Sequence, residues 1–399
     1  MHYDAIIVGG GLGGSVLAEQ LATAGHRVLV LERETQFKDR VRGENFLAWG
    51  VAAARRLGIY DDLIAAGGHP APNWVIYLMG QPTPPRDLCA TTPGGDPMLN
   101  IYHPGMQDAM IARAVSAGAI VRRGATVLGV DAAPGRAPAV TYELNGDRQT
   151  ASGRIVVGAD GRASQVRSWA EFEVVRTPEM LRISGMLIAG SNVPEQGAYF
   201  VVGPGVASFW APQGGGRARA YFVYPRATGD RQLTGKQKVS EFLLAVASAG
   251  VPSSWLDGVE SIGPLAEFEG ADRHVPTPAK NGVVLIGDAA GASDPSWGSG
   301  LSLTLLDVES LAKALHSCED WNVAIARYAD EHDHYYDALH RVHTWMTELA
   351  WTPGPEAQAR RERVMPKWIA QVEGFPDLVG LGPFGPSDER ARRITLDLD

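Results

Sequence analysis

The chain has 399 residues, enough for two or three domains or for one interleaved pair. Apolar residues make up 45% and charged residues 20%, the balance of a soluble globular protein. A net charge of −9 argues against nucleic acid or an anionic membrane as a bulk electrostatic partner.

Residues 3–8 read as a short buried strand, and 12–24 as a helix that stops at Gly25. Residues 27–31 form the next strand, so the chain opens as a βαβ unit. Residues 52–66 have helical periodicity, with Gly67-Gly68 as the stop signal. A stretch rich in proline and glycine follows, to Pro104. Residues 106–117 then read as a helix, 120–144 as a strand pair, and 154–160 as an apolar strand ending in a carboxylate. Three β-rich runs, 198–202, 207–211 and 217–224, are separated by glycine clusters and predict an antiparallel meander. Residues 239–249 supply a helix against it. From Gly300 to about Val372 the pattern is helical, with a break near 352–355.

Cys89 and Cys318 fit neither a disulfide framework nor a metal spacing, so no metal is expected and the expected setting is reducing and cytoplasmic. No cationic start precedes the first apolar run, so no signal peptide is expected. No apolar segment approaches about 18 residues, so no membrane span is expected either.

The glycines of Gly9-x-Gly11-x-x-Gly14 lie between a strand and a helix, the context that makes the pattern informative. The first permits a tight turn, the second lets a pyrophosphate approach the backbone, and the third lets helix and strand pack closely. Leu12 and Gly13 open the helix, whose free N–H groups suit a phosphate. Glu32 ends the following strand, with Arg33 beside it, where a carboxylate can accept hydrogen bonds from an unphosphorylated ribose. That combination points to FAD or NAD rather than NADP. Two further apolar strands end in carboxylates, at Asp160-Gly161 and Gly287-Asp288. Each carboxylate either faces a ligand or caps the next helix or turn.

Asp160-Gly161 with Arg167, followed by Gly287-Asp288, resembles in order and context the motifs of the single-component FAD-dependent monooxygenases, the aromatic hydroxylases similar to 4-hydroxybenzoate hydroxylase. The resemblance spans roughly residues 3–315. It implies FAD as cofactor, with Asp160 near the pyrophosphate and Asp288 on the ribityl chain. Arg42 matches an arginine lying along the flavin, unless it is solvent-exposed, and His103 stands where the family has a residue touching the phosphates. The segment Pro295, Trp297, Gly298, Ser299, Gly300 and Leu301 is expected beside the isoalloxazine ring, its helix N-terminus facing the pyrimidine oxygen. Gly291, Ser299 and Trp297 depart from the family pattern. Trp297 borders the ring, shapes the substrate cavity or simply packs in the core. The chain lacks the Trp-x-Trp-x-Ile-Pro run of flavin-dependent halogenases, which argues against halogenation.

The fold class expected is α/β (α+β). A Rossmann-like FAD-binding domain (1–70, 103–170 and 276–325) is interleaved with a β-rich substrate domain (71–102 and 171–275), followed by a helical C-terminal segment (326–399). Trp210, Tyr221, Phe222 and Trp297 are candidates for the substrate pocket, with core packing as the alternative. The implied activity is oxygenation of an apolar, aromatic or polycyclic organic molecule, using O2 and NADH or NADPH through a flavin C4a-hydroperoxide. A separate flavin reductase is the alternative electron source. Competing readings are a flavin-dependent reductase, dehydrogenase or oxidase without oxygen transfer, and a non-catalytic flavin-fold binding protein. Pro295, Trp297 and Gly298 are flavin-adjacent candidates for the catalytic region, and no general base is identifiable.

Overall fold

A computed structural model describes residues 2–41, 43–228 and 232–398. The apolar strand His2–Val8 (β1) turns through glycines into the helix Leu12–Thr23 (α1), and Val28–Glu32 (β2) returns parallel to β1. The turn depends on missing side chains. Gly9 has a φ of 104°, and a Cβ on Gly14 would sit 2.0 Å from the Gly9 carbonyl oxygen.

The span 52–66, expected as one helix, is two: Ala48–Arg56 (α2) and Tyr60–Ala65 (α3). Gly58 breaks them at a φ of 69°. Periodicity does not reveal the break, because Leu57 and Ile59 are buried on either side of it. The chain then contributes Asn73–Leu78 (β3) to a second sheet before returning through His103–Ser116 (α4).

The expected strand pair at 120–144 is three strands. Ile120–Arg123 (β4) lies parallel to β2, then turns at Gly124 into the antiparallel pair Thr126–Asp131 (β5) and Ala139–Leu144 (β6). Asp147–Gly158 (β7) is longer than its apolar tip. Its first half pairs antiparallel with β6 and its second half parallel with β1. Gln165–Trp169 (α5) follows.

The second sheet holds Leu181–Ala189 (β8), Gly197–Gly203 (β9), Val206–Pro212 (β10) and Ala218–Pro225 (β11). β9, β10 and β11 form the expected meander, β8 pairs with β11, and β3 joins parallel to β9. Val239–Ser248 (α6) packs on one face, where Met186, Trp210, Phe222 and Phe242 share a core. Ala266–Gly270 (β12) extends this sheet beside β8, and Val283–Leu285 (β13) returns to the first sheet beside β7. Three helices follow: Gly300–Ser317 (α7), Trp321–Trp351 (α8) and Pro355–Ile369 (α9). The break before α9 falls where it was expected, and Glu389–Leu396 (α10) is last.

The result is the mixed α/β architecture anticipated, with the β-rich sheet inserted between pieces of the parallel one. No described helix is long and apolar enough to cross a membrane. Among the described residues no cluster of His, Cys, Asp or Glu could hold a metal. Gly14→Ala forces a methyl group into the Gly9 carbonyl. It is expected to destabilise the protein by about 1–3 kcal/mol, the usual cost of overpacking, as read from urea unfolding midpoints.

Candidate cofactor and substrate site

Between the two sheets lies a cavity of about 1030 Å³. Its wall includes Gly9, Gly11, Leu12 and Gly13 from the glycine turn, and Glu32 and Arg33 from the end of β2. Asp288, Pro295, Trp297 and Gly298 come from the loop between β13 and α7, and Gly300 and Leu301 from the first turn of α7. Gly14 is not on this wall; it serves the contact between α1 and β1.

Two helices begin at the cavity with their first N–H groups uncapped by side chains. α1 and α7 have neither a side-chain cap nor an acidic residue in the first turn. Their positive ends are left for something else to satisfy. Room for it comes from glycines. A Cβ on Gly11 would meet only Gln107 Nε2, at 3.5 Å, and one on Gly298 only Asn45 Oδ1, at 3.9 Å.

Glu32 is buried, and each of its carboxylate oxygens accepts one backbone N–H. Gly10 donates to one at 2.6 Å and Glu34 to the other at 2.7 Å. The carboxylate therefore fixes the glycine turn, and its remaining lone pairs can still accept a hydroxyl. Arg33 points largely into solvent beside Glu34, 3.7 Å away. His103 lies at the start of α4 with Nδ1 2.7 Å from the Gly43 carbonyl, and burial lowers its pKa below the ordinary histidine value. Arg42 lies outside the described residues.

Asp160 lines the cavity, but its carboxylate works as a cap. It accepts from Ser164 Oγ at 2.6 Å and from the Gln165 and Val166 N–H groups at the start of α5. Arg167 is buried and braces two loops, donating to the carbonyls of Ala289 and Arg162. The Gly287-Asp288 turn is held from beneath by Asp307, a residue outside the motifs read from the sequence. One Asp307 oxygen accepts the Gly287 N–H at 2.6 Å, and the other binds Tyr335 and His332. A lone acid within the apolar run of Leu305, Leu306 and Val308 was the available signal.

Asp294 caps the turn carrying Trp297, accepting from the Ser296 N–H at 2.9 Å and from Ser296 Oγ at 2.6 Å. Burial pushes its pKa up to about 6. Gly298 takes a left-handed φ of 69°, which turns the chain into α7. Ser299, expected at the cofactor, is buried off the cavity wall, with its hydroxyl 3.1 Å from His343 Nε2.

Aromatic side chains make a second part of the wall. Phe200 stands 6.2 Å from Trp74, 6.4 Å from Trp297 and 6.4 Å from Trp368, and Phe209 stands 6.3 Å from Tyr221. Trp210 and Phe222 do not belong to it. Strand alternation turns them to the opposite face, into the core against α6, while Phe209 and Tyr221 face the cavity. The C-terminal segment contributes Trp368, Gln371, Asp377 and Leu378. It is fastened by a two-pronged Arg86–Asp377 ion pair at 2.7 Å and by Trp49 Nε1 donating to the Leu378 carbonyl. Under Tyr221, Arg219 is fully buried and pairs with Glu44 and Asp39, while Gln213 donates to Glu44 at 2.9 Å. Burial raises the Glu44 pKa, and Arg219 holds it back.

Residues 2–331 match the family described as "FAD binding domain". The chain belongs to that family. It is an FAD-dependent oxidoreductase with the fold of the single-component flavoprotein monooxygenases. It is 26% identical to digeranylgeranylglycerophospholipid reductase 2 of Methanococcoides burtonii, over 78% of this chain and 74% of that protein. It is also 26% identical to the rifampicin monooxygenase of Streptomyces venezuelae, over 90% of this chain and 74% of that protein. In fold it is similar to p-nitrophenol 4-monooxygenase PnpA from Pseudomonas putida DLL-E4. There the TM-score is 0.79 at 19% identity, covering 96% of this chain and 99% of that one.

The cavity fits FAD in its chemistry. It offers two uncapped helix N-termini, a glycine-lined floor, a carboxylate at the end of β2, and at Gly298 the buried Asn45 Oδ1, which has no hydrogen-bond partner among the described residues. Glu32→Ala frees the turn and removes an acceptor. It should weaken FAD binding by about 1.5–3 kcal/mol, the worth of a charge-assisted hydrogen bond, measured by titrating apoprotein with FAD. Arg219→Met leaves Glu44 buried without its cation and should cost about 3–5 kcal/mol at neutral pH. The folded pKa of Glu44 then lies still further above its unfolded value. Stability is therefore retained at low pH and lost as pH rises through the folded pKa, so urea melts should show the deficit shrinking as pH is lowered.

Proposed function

We propose that the enzyme is a monooxygenase that inserts oxygen from O2 into an apolar, aromatic or polycyclic small molecule, with NADH or NADPH as transient reductant. The observation that carries this reading is the aromatic wall of Phe200, Phe209, Tyr221, Trp74 and Trp368, which shares one cavity with the glycine-lined cradle. Such rings favour a flat apolar guest by burial and offset stacking. Similarity to a rifampicin monooxygenase over 90% of the chain supports the same chemistry. FAD, when bound, supplies the redox chemistry and the activation of oxygen.

The residues of the chain bind, orient and shield. Gly9, Gly11, Leu12 and Gly13 present the α1 N–H groups to the pyrophosphate, and Glu32 adds a ribose hydroxyl to its two backbone donors. Asp288 takes the ribityl chain, with Arg33 and His103 at the margin. Asp160 acts by shaping the loop rather than by direct contact. Pro295, Trp297, Gly298, Gly300 and Leu301 border the ring, and the α7 N-terminus favours negative charge on its reduced form. Ser299 acts from behind the wall. On this reading residues 1–70, 103–170 and 276–325 serve FAD, and 71–102 and 171–275 serve the substrate. Residues 326–399 lend the substrate end its last wall.

Similarity to digeranylgeranylglycerophospholipid reductases favours a second reading, reduction of a carbon–carbon double bond in an apolar chain. Anaerobic mixing with NADH or NADPH is expected to bleach the bound flavin. Turnover under ¹⁸O2 with aromatic substrates should then add one labelled oxygen to the product. A product that gains two hydrogens and no label establishes the reductase reading instead. A flavin that stays oxidised with both nicotinamides points to a separate flavin reductase as the electron source.

A further inference from the structure

Behind the Pro295–Trp297 turn, the fold leaves polar atoms without protein partners. Asp272 Oδ1, His274 Nδ1, Tyr336 OH and His343 Nδ1 are all buried, and none has a hydrogen-bond partner among the described residues. Tyr336 and His343 lie seven residues apart on one face of α8, and Asp272 meets the same helix through His340. The His274 ring lies 5.0 Å from Tyr336 and 6.1 Å from His340, and Tyr336 stacks on His340 at 6.1 Å.

The other atoms of these groups are engaged. Asp272 Oδ2 binds His340 Nδ1. His343 reaches Ser299 through Nε2 and is stacked against Trp297 at 6.4 Å. Buried polar atoms in native proteins are satisfied by protein or by ordered water. Four unpartnered ones side by side describe a wet pocket, since a dry one would leave each with its full desolvation cost.

This pocket has two ends. His340 is partly exposed, at 28%, whereas Ser299 sits between the cavity-lining residues Gly298 and Gly300. We propose that ordered water held by Asp272, His274, Tyr336 and His343 completes a proton path from His340 at the surface to Ser299 at the first turn of α7. The path rests on the reading that FAD occupies the cavity beside that turn. It gives the site a proton supply separate from the aromatic wall of the cavity.

The transfer balances. A proton taken up at His340 moves to Asp272 and through water to His343 Nδ1. His343 gives its Nε2 proton to Ser299 Oγ as that hydroxyl, behind the wall formed by Gly298 and Gly300, releases its own to an acceptor bound against that wall. Each group gains one proton and loses one, and no oxidant or reductant is consumed. The local chemistry suits these roles. Burial lowers the His343 pKa to about 4, keeping a neutral ring that accepts at one nitrogen and donates at the other. The Asp272 hydrogen bond raises that of His340, favouring proton uptake at the exposed end.

The first test needs no turnover. A high-resolution crystal structure of the native protein should show ordered water bonded to Asp272 Oδ1 and His343 Nδ1, and a dry or protein-filled gap overturns the path. The second compares FAD-loaded variants. His343→Phe keeps a ring against Trp297 but carries no proton. It should retain bound FAD, turn over at least about tenfold more slowly, and change the solvent deuterium isotope effect. His343→Ala should regain part of the lost rate with added imidazole. FAD-loaded variants with the native rate and the native isotope effect would remove the path alone. Native protein that takes up no FAD would instead remove the cofactor reading on which the path rests.

Discussion

Backbone touches backbone at two glycines, and the geometry of the site follows from those contacts. The first turn of α1 rests on the carbonyl of Gly9, while Gly9 itself has no room for a Cβ, which would lie 2.3 Å from the Ala159 carbonyl oxygen. One point thus joins β1, α1 and the end of β7. Because the helix starts so close to the sheet, its first N–H groups open on the cavity rather than on solvent, and β2 brings Glu32 within reach of Gly10. Gly287-Asp288 and Asp160-Gly161 then stand at the tips of strands registered against this centre, with Val157 opposite Val284 and Ile7 opposite Val157.

The parts legible in the sequence were those whose cause is local. A glycine turn between strand and helix, an apolar strand ending in a carboxylate, and glycine-separated β runs are each set by a few neighbouring residues. What stayed hidden was set by distant partners. Asp160 reads from its position as a ligand or a cap; its bonds from Ser164, Gln165 and Val166 are those of a cap, and the residue also lines the cavity. Strand alternation separates Arg219 and Tyr221 from Phe222 and Tyr224 but leaves open which face meets the cavity; the packing of α6 decides that. Gly58 shows the opposite limit, a single residue splitting a helix whose apolar pattern runs straight through. Whether Trp297 borders a ligand or packs in the core has no single answer, since it lines the cavity and also binds Thr347 through Nε1.

Buried charge is used here to hold loops in place. Asp307 grips the backbone of Gly287 while Tyr335 and His332 satisfy its second oxygen, so the turn bearing Asp288 is tied to both α7 and α8. Arg219 does the same for the segment at Asp39 and Glu44. Burying such ions is costly, and replacing whole clusters with apolar groups often stabilises proteins. Their value lies in directional bonds, which fix a loop more narrowly than apolar packing does. Arg33 and Glu34, a solvated pair at the rim, contribute little by comparison.

The family match stops at residue 331, yet Trp368, Gln371, Asp377 and Leu378 line the same cavity. This wall is held by two fastenings, Arg86 to Asp377 and Trp49 to the Leu378 carbonyl, neither of which involves the glycine turn or the Gly287-Asp288 loop. A change in the tail can therefore alter that part of the cavity wall while the glycine turn stays untouched. On the proposed reading, one terminal stretch sets part of the shape offered to a guest, and exchanging it alters that shape without moving the glycine turn.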